Sequence, residues 1–214
     1  MSTQTPAVPP APPAAVFIAD PGPLGLAGFA MTTFVLSTFN TNILNPSMEA
    51  AVLPLALFYG GIGQLLAGMW EFRKGNTFGA TAFSSFGAFW LAFYWLVTYE
   101  AAHLTPADQA HKAVGLFTLS WAIFTAYMTI AAMRTSGAVL AVFVALTITF
   151  IFLTIGNFET GNSAKDWTHI GGWFGFVTAI LAWYASFAGV TNATFAKTVV
   201  PTWPLVNRGV VARP

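Results

Sequence analysis

Apolar residues run in long blocks through this chain, and polar residues gather in short links between them. The blocks predict six helices, over residues 23–44, 49–71, 76–101, 112–133, 137–157 and 168–190. Each matches the roughly 20 residues that a helix needs to cross a bilayer. Between Leu24 and Glu71 only Glu49 carries a charge, and from Gly75 to Tyr99 nothing does. The links are Asn45-Pro46-Ser47, Arg73-Lys74-Gly75-Asn76, a longer loop with His103, Pro106, Asp108 and His111, Arg134-Thr135-Ser136-Gly137, and Glu159 to Asp166. Glycines recur within the blocks, as in Gly60, Gly61, Gly63 and Gly68, and in Gly171-x-x-x-Gly175. Small residues of this kind let helix backbones approach closely in lipid.

Composition turns this pattern into a fold class. The chain is 56% hydrophobic and only 7% charged, with a mean hydropathy of +0.68, whereas a soluble domain carries roughly 25% charged residues. The expectation is an all-α polytopic membrane protein with six transmembrane helices per protomer. There is no cysteine, which removes disulfides and thiolate chemistry. A net charge of +1 gives no basic face for nucleic acid. Residues 1–22 are expected to be a disordered Pro/Ala-rich tail, since Pro6, Pro9, Pro10, Pro12 and Pro13 break it and no Lys or Arg precedes Asp20, unlike a secretory signal. Residues 23–192 form the expected transport domain, and 193–214 a second tail.

Charge then orients the helices. Of the eight Lys and Arg residues, only Lys112 and Lys165 fall on the side holding Glu49, Glu100, Asp108, Glu159 and Asp166. The rest share a side with both termini, which places the termini in the cytoplasm by the positive-inside rule. On that basis the Asn192-Ala-Thr194 glycosylation sequon is discounted. The location expected is the plasma membrane (cell inner membrane).

Polar side chains inside the blocks are the candidate chemistry, because such groups are costly in hydrocarbon and face an interior or a pathway. On the first helix Phe29, Thr33, Ser37 and Asn40 share one face. Gln64 sits within the second helix and Asn157 ends the fifth. Asn40 follows Phe29, and Asn157 follows Leu146, by the same interval, about three turns or 16 Å. Both helices run outward, so Phe29 and Leu146 should share one depth, and Phe86 on the third helix should fall near it. On the residues alone, plain core packing accounts for such a trio more readily than a pore constriction does. No catalytic set or metal motif emerges, and neither an enzyme nor a cofactor is expected. Glu71 is the best acid, but Arg73 and Lys74 beside it suggest an ordinary ion pair.

The block Asp20-Pro21-Gly22-Pro23-Leu24-Gly25-Leu26 starts the first helix; Pro23 suits its first turn and Asp20 lies within reach of its free amides. It resembles the Asn-Pro-Ala-Pro-Leu-Gly-Leu signature of the acetate uptake transporter family, the succinate–acetate permeases and their yeast relatives. The run from Phe58-Tyr59-Gly60-Gly61 through Gln64 and Glu71 to Lys74-Gly75-Asn76-Thr77-Phe78-Gly79, then Phe89-Trp90-Leu91, Ile155-Gly156-Asn157 and Gly172-Trp173, extends the likeness over residues 20–200. The resemblance implies a homo-hexamer with a separate pathway in each protomer, carrying acetate and other small carboxylates, with succinate in some members, either proton-linked or channel-like. It implies a constriction at Phe29, Phe86 and Leu146, with Phe86 standing where the family has tyrosine. Thr33, Asn40, Gln64 and Asn157 would replace part of the substrate's water shell. The partners expected are thus a small carboxylate, the lipid bilayer and further copies of the chain. A hexameric channel for neutral solutes such as urea or short amides is the alternative, and a membrane sensor without transport is a third reading.

Overall fold

A computed structural model of the chain describes residues 18–206. Most of the tail expected over 1–22, and Arg208 and Arg213 of the second tail, lie outside the described residues. Six helices are long and apolar enough to cross a membrane: α1 Gly22–Asn40, α2 Pro46–Lys74, α3 Thr77–His103, α4 Ala107–Ala132, α5 Gly137–Phe158 and α6 Gly161–Thr194. Among the described residues there is no strand, only an isolated bridge between Ser136 and Pro204.

Several helix ends shift by a few residues from the hydropathy expectation, and at two of them, the end of α1 and the start of α6, the local reason is visible. α1 stops at Asn40, where the Thr41 N–H still bonds back to Ser37 O (2.9 Å) and Asn42 takes a left-handed φ of 55°. Residues 41–44 were apolar enough to read as helix, but the approaching Asn45-Pro46 turn leaves the chain no room to continue one. α6 begins at Gly161, after an extended Thr160, well before residue 168. Its first two turns carry Asn162, Lys165 and Asp166, whose polarity hid a helix that rises out of the apolar layer. At 34 residues it is about 50 Å long, against a hydrocarbon core of about 30 Å.

α1 packs against α6 and α2, α5 against α6 and α4, and α3 against α2. The outer faces are apolar, with Phe58, Ile123, Ile130 and Phe187 all exposed, while Thr32, Gln64, Glu71, Thr125 and Thr178 are buried. This inversion is what lipid as solvent requires. Most buried threonines donate to their own helix: Thr125 Oγ1 to Trp121 O (2.7 Å) and Thr178 Oγ1 to Phe174 O (2.8 Å).

α2 is not uniform. A six-residue π-helical turn, Phe58–Gly63, interrupts it directly before Gln64. Such turns insert extra residues into an α-helix and often lie at functional sites. The turn is held by close packing: a Cβ on Gly60 would sit 2.5 Å from Thr32 Oγ1 and 2.9 Å from Trp90 Cδ1, and one on Gly28 would sit 2.6 Å from Tyr59 O. α1 and α2 therefore meet nearly backbone to backbone there, as do α2 and α3 at Gly87, where a Cβ would sit 2.6 Å from Leu65 N, and the π turn fixes which way Gln64 faces.

At the end of α6 the Asn192 side chain is committed. Its Oδ1 accepts from the Val199 and Val200 N–H groups (2.7 and 2.9 Å), and its Nδ2 donates to Val200 O (2.8 Å). The amide of the sequon thus folds the following segment back on α6. That segment then satisfies the first amides of α5, with Gly137 N–H donating to Trp203 O (2.7 Å) and Ala138 N–H to Thr202 O (3.2 Å).

Candidate functional site: an apolar cavity with one amide

α1, α3 and α5 each send a pair of apolar residues, three positions apart, to a common cavity: Leu26 and Phe29, Phe83 and Phe86, Phe143 and Leu146, with Ala82 and Val142 beside the last two pairs. Three helical positions are about 4.5 Å of rise, so the lining has two layers, with Phe29, Phe86 and Leu146 farther along each helix. These three are nearly fully buried, at 4%, 3% and 4% exposure. The Phe29 and Phe86 rings lie 5.6 Å apart, and Phe86 also meets Phe124 at 5.4 Å and Trp121 at 5.9 Å. The cavity measures about 20 Å³, room for roughly one water molecule.

α2 adds the only polar residue to this lining, Gln64. It is 1% exposed, and its Oε1 has no hydrogen-bond partner. A buried unpaired amide oxygen costs roughly 1–3 kcal/mol, so it needs a reason to be there. Thr33, one turn beyond Phe29 on α1, is also buried with an unpartnered Oγ1. It does not line the cavity, and neither do Asn40 and Asn157, which stand at the last turns of α1 and α5. Asn157 Nδ2 donates to Leu153 O of its own helix (2.8 Å). The backbone of Asn40 is packed against Gly172, where a Cβ would lie 2.8 Å from Asn40 C.

The block at the head of α1 contributes through its glycines and its first residue. A Cβ on Gly25 would fall 2.6 Å from the Phe83 ring, so this position makes space for the inner aromatic layer. Asp20 Oδ1 accepts from the Gly22 N–H (2.9 Å) and from Lys74 Nζ (2.7 Å). One acidic residue thus caps α1 and ties it to the end of α2.

That pairing corrects the expectation for Glu71. Lys74 is engaged with Asp20, and among the described residues Glu71 has no salt bridge. It is 1% exposed with Oε2 unpartnered. Adjacent positions misled: residues two apart on a helix point to different sides, so Arg73 is turned away from Glu71.

Sequence reasoning named Leu26 only within the block that starts α1, and did not assign Ala82, Phe83, Val142 or Phe143 to the lining. The usable signal was the positions three and four before each member of the predicted trio, since those neighbours share its helix face.

The family profile described as GPR1/FUN34/yaaH family matches residues 2–207. The chain is 41% identical over 179 residues to ammonia transport outward protein 2 of Saccharomyces cerevisiae, covering 81% of this chain and 62% of that protein. It is 38% identical over 184 residues to the succinate-acetate/proton symporter SatP of Escherichia coli K12, covering 86% and 95%. The chain spans 62 to 66% of the length of the fungal relatives it matches first. Among solved structures, the bacterial acetate channel SatP superposes with a TM-score of 0.79 at 35% identity, over 87% of this chain and 99% of that one. With the six apolar helices, these matches make it an integral membrane protein that belongs to the GPR1/FUN34/yaaH family.

Proposed function

We propose that this chain carries small monocarboxylates, acetate first, across the membrane through a path inside each six-helix protomer. The observation that carries the reading is the cavity, where one unpaired amide, Gln64, faces a collar of apolar side chains on the axis shared by α1, α3 and α5. Phe29, Phe86 and Leu146 form its narrow layer. The space of about 20 Å³ admits one water but not a carboxylate, so the conformation is a closed one and a substrate passes only when the rings turn. Gln64 then supplies a donor and an acceptor to a solute stripped of water. Thr33 and the end-of-helix amides Asn40 and Asn157 act farther out, where solute exchanges its hydration shell.

The names of the relatives support the substrate class, since one is a succinate-acetate/proton symporter and the superposed structure an acetate channel. We further propose that the protomer, residues 23–192, assembles as a homo-hexamer in the plasma membrane with both termini cytoplasmic. The gathering of Arg73, Lys74, Arg134 and Lys197 on the side of the termini supports that orientation.

Uptake of labelled acetate into vesicles containing the purified protein tests the reading. Excess propionate should compete and excess urea should not. Competition by urea with none by propionate would replace it with the neutral-solute channel, and no solute flux at all would favour a sensor.

A further inference from the structure

Beyond Gln64, the contact between α2 and α3 holds two more unpartnered polar groups that the cavity does not explain, on Ser84 and Glu71. Gln64, Gly68 and Glu71 fall at spacings of four and three, so they share one face. Gly68 lies directly against Ser84 of α3, whose buried Oγ has no partner. Gln64 Oε1, Ser84 Oγ and Glu71 Oε2 are thus unpartnered polar atoms following one another in file along about 10 Å of the α2–α3 contact, without hydrogen bonds to one another. Native structures leave few such groups.

The far end of the file is built. Glu71 is wedged between the starts of two other helices. A Cβ on Gly79, in the first turn of α3, would fall 2.8 Å from Glu71 Cδ and 2.6 Å from Asn76 Nδ2, and one on Gly22, the first residue of α1, would fall 3.5 Å from Glu71 Oε1. Both positions are glycines, and the carboxyl fills the space a side chain would take. The charged group facing it from α1 is Asp20, whose Oδ1 lies 3.0 Å from the same Gly22 position. Lys74 neutralises Asp20. From α3 no charged group faces it, since Thr77–Trp95 carries none, and Asn76 is the neighbouring amide. An ionised carboxylate so placed has no salt bridge among the described residues, Lys74 acting on it only at longer range, and it would repel an anion coming through the collar. A bound proton removes both costs.

We propose that Glu71 is the proton-exchanging residue of transport, taking directly the proton of an acid that has crossed the collar in neutral form and moved past Ser84. The carboxyl O–H bond of the incoming acid breaks, an O–H bond forms on Glu71, and the acid leaves as its carboxylate. Glu71 then gives the proton to cytoplasmic water when the mouth opens. No other reactant is required. The inference rests on the monocarboxylate reading and adds the residue that couples solute to proton.

The experiment uses the full chain in vesicles, with labelled acetate, an internal pH dye and protein-free vesicles as background. Three quantities are read for wild type, Glu71→Gln and Glu71→Asp: accumulation driven by an inward proton gradient, acetate exchange at equal pH, and the pH profile of uptake. The amide variant should lose gradient-driven accumulation by roughly 100-fold, the scale of a removed acid–base group, while still exchanging acetate. The aspartate variant should keep coupling with a displaced pH profile. Gradient-driven accumulation by Glu71→Gln at the wild-type level would overturn the proposal. So would parallel loss of exchange and accumulation in a variant that elutes as wild type. If Glu71→Gln does not fold, an unmoved pH profile in Glu71→Asp overturns it as well. Absence of acetate flux in the wild type would strike the monocarboxylate reading itself.

Discussion

Replacing Gln64 with leucine should make the protein more stable and less active at once. Gln64 is 1% exposed, lines an otherwise apolar cavity and leaves Oε1 unpartnered. Leucine is of similar volume and carries no polar atom, so the variant removes a desolvation cost of about 1–3 kcal/mol and opens no void. In a chain of 214 residues, each kcal/mol corresponds to a midpoint rise of roughly 2–4 °C. Transport should move the other way. A hydrogen bond to a neutral polar solute contributes about 0.5–1.5 kcal/mol, so its loss beside the collar should slow acetate flux roughly 2- to 10-fold. Thermal unfolding in detergent and uptake into vesicles read the two effects separately. A structural glutamine gives the opposite pair of results, with a lowered midpoint and flux near wild type. That outcome would refute the assignment of Gln64 to the pathway.

Leu146→Ala should widen the collar, raising flux and weakening discrimination against longer acids, while costing about 2–5 kcal/mol of stability; unchanged uptake kinetics would take Leu146 out of the constriction. Gly25→Ala should displace the Phe83 ring, since its new methyl would lie 2.6 Å from that ring, with an overpacking cost of about 1–3 kcal/mol and reduced uptake; a melting curve superimposable on wild type would show that Phe83 has room to move. Asp20→Asn removes the partner of Lys74 but keeps an oxygen for the Gly22 N–H, and because both side chains of the pair are at least a third exposed, the stability change should stay below about 1 kcal/mol. A larger drop in chemical denaturation would mean that the Asp20–Lys74 contact holds α1 to α2 more firmly than an exposed pair can.

Six apolar blocks were readable as six spans because hydrocarbon permits few other solutions for backbone polar groups. The cavity was readable in part for a geometric reason. Helices that run in the same direction and start at known points carry their residues to computable depths, and Phe29 and Leu146 were placed level by counting turns. The same arithmetic identified no inner layer, although Leu26, Phe83 and Phe143 follow from it by stepping back three positions. The π turn at Phe58–Gly63 was not readable at all. It lies where Thr32, Trp90 and the Gly28 backbone pack closely against it, contacts that no local propensity reports. Because of that turn, the direction in which Gln64 faces could not be obtained from α-helical periodicity alone.

Asp20 and Glu71 show how far charge pairing can be inferred from neighbours in the chain. Lys74 is three positions from Glu71, a spacing that allows contact, yet its ammonium goes to Asp20, 54 residues away in sequence and 2.7 Å away in space. The choice follows from access to water. Lys74 keeps its charged end at the surface, where Asp20 is half exposed, whereas reaching Glu71 would bury both charges between α1 and α3. An asparagine at position 20, as in the signature this block resembles, would cap α1 equally well but offer Lys74 no countercharge. Lys74 would then be free to turn toward Glu71. The aspartate at position 20 therefore has a consequence beyond its own helix: by holding Lys74 at the surface, it leaves the buried carboxyl without a salt bridge, which is the condition under which a proton becomes its natural partner.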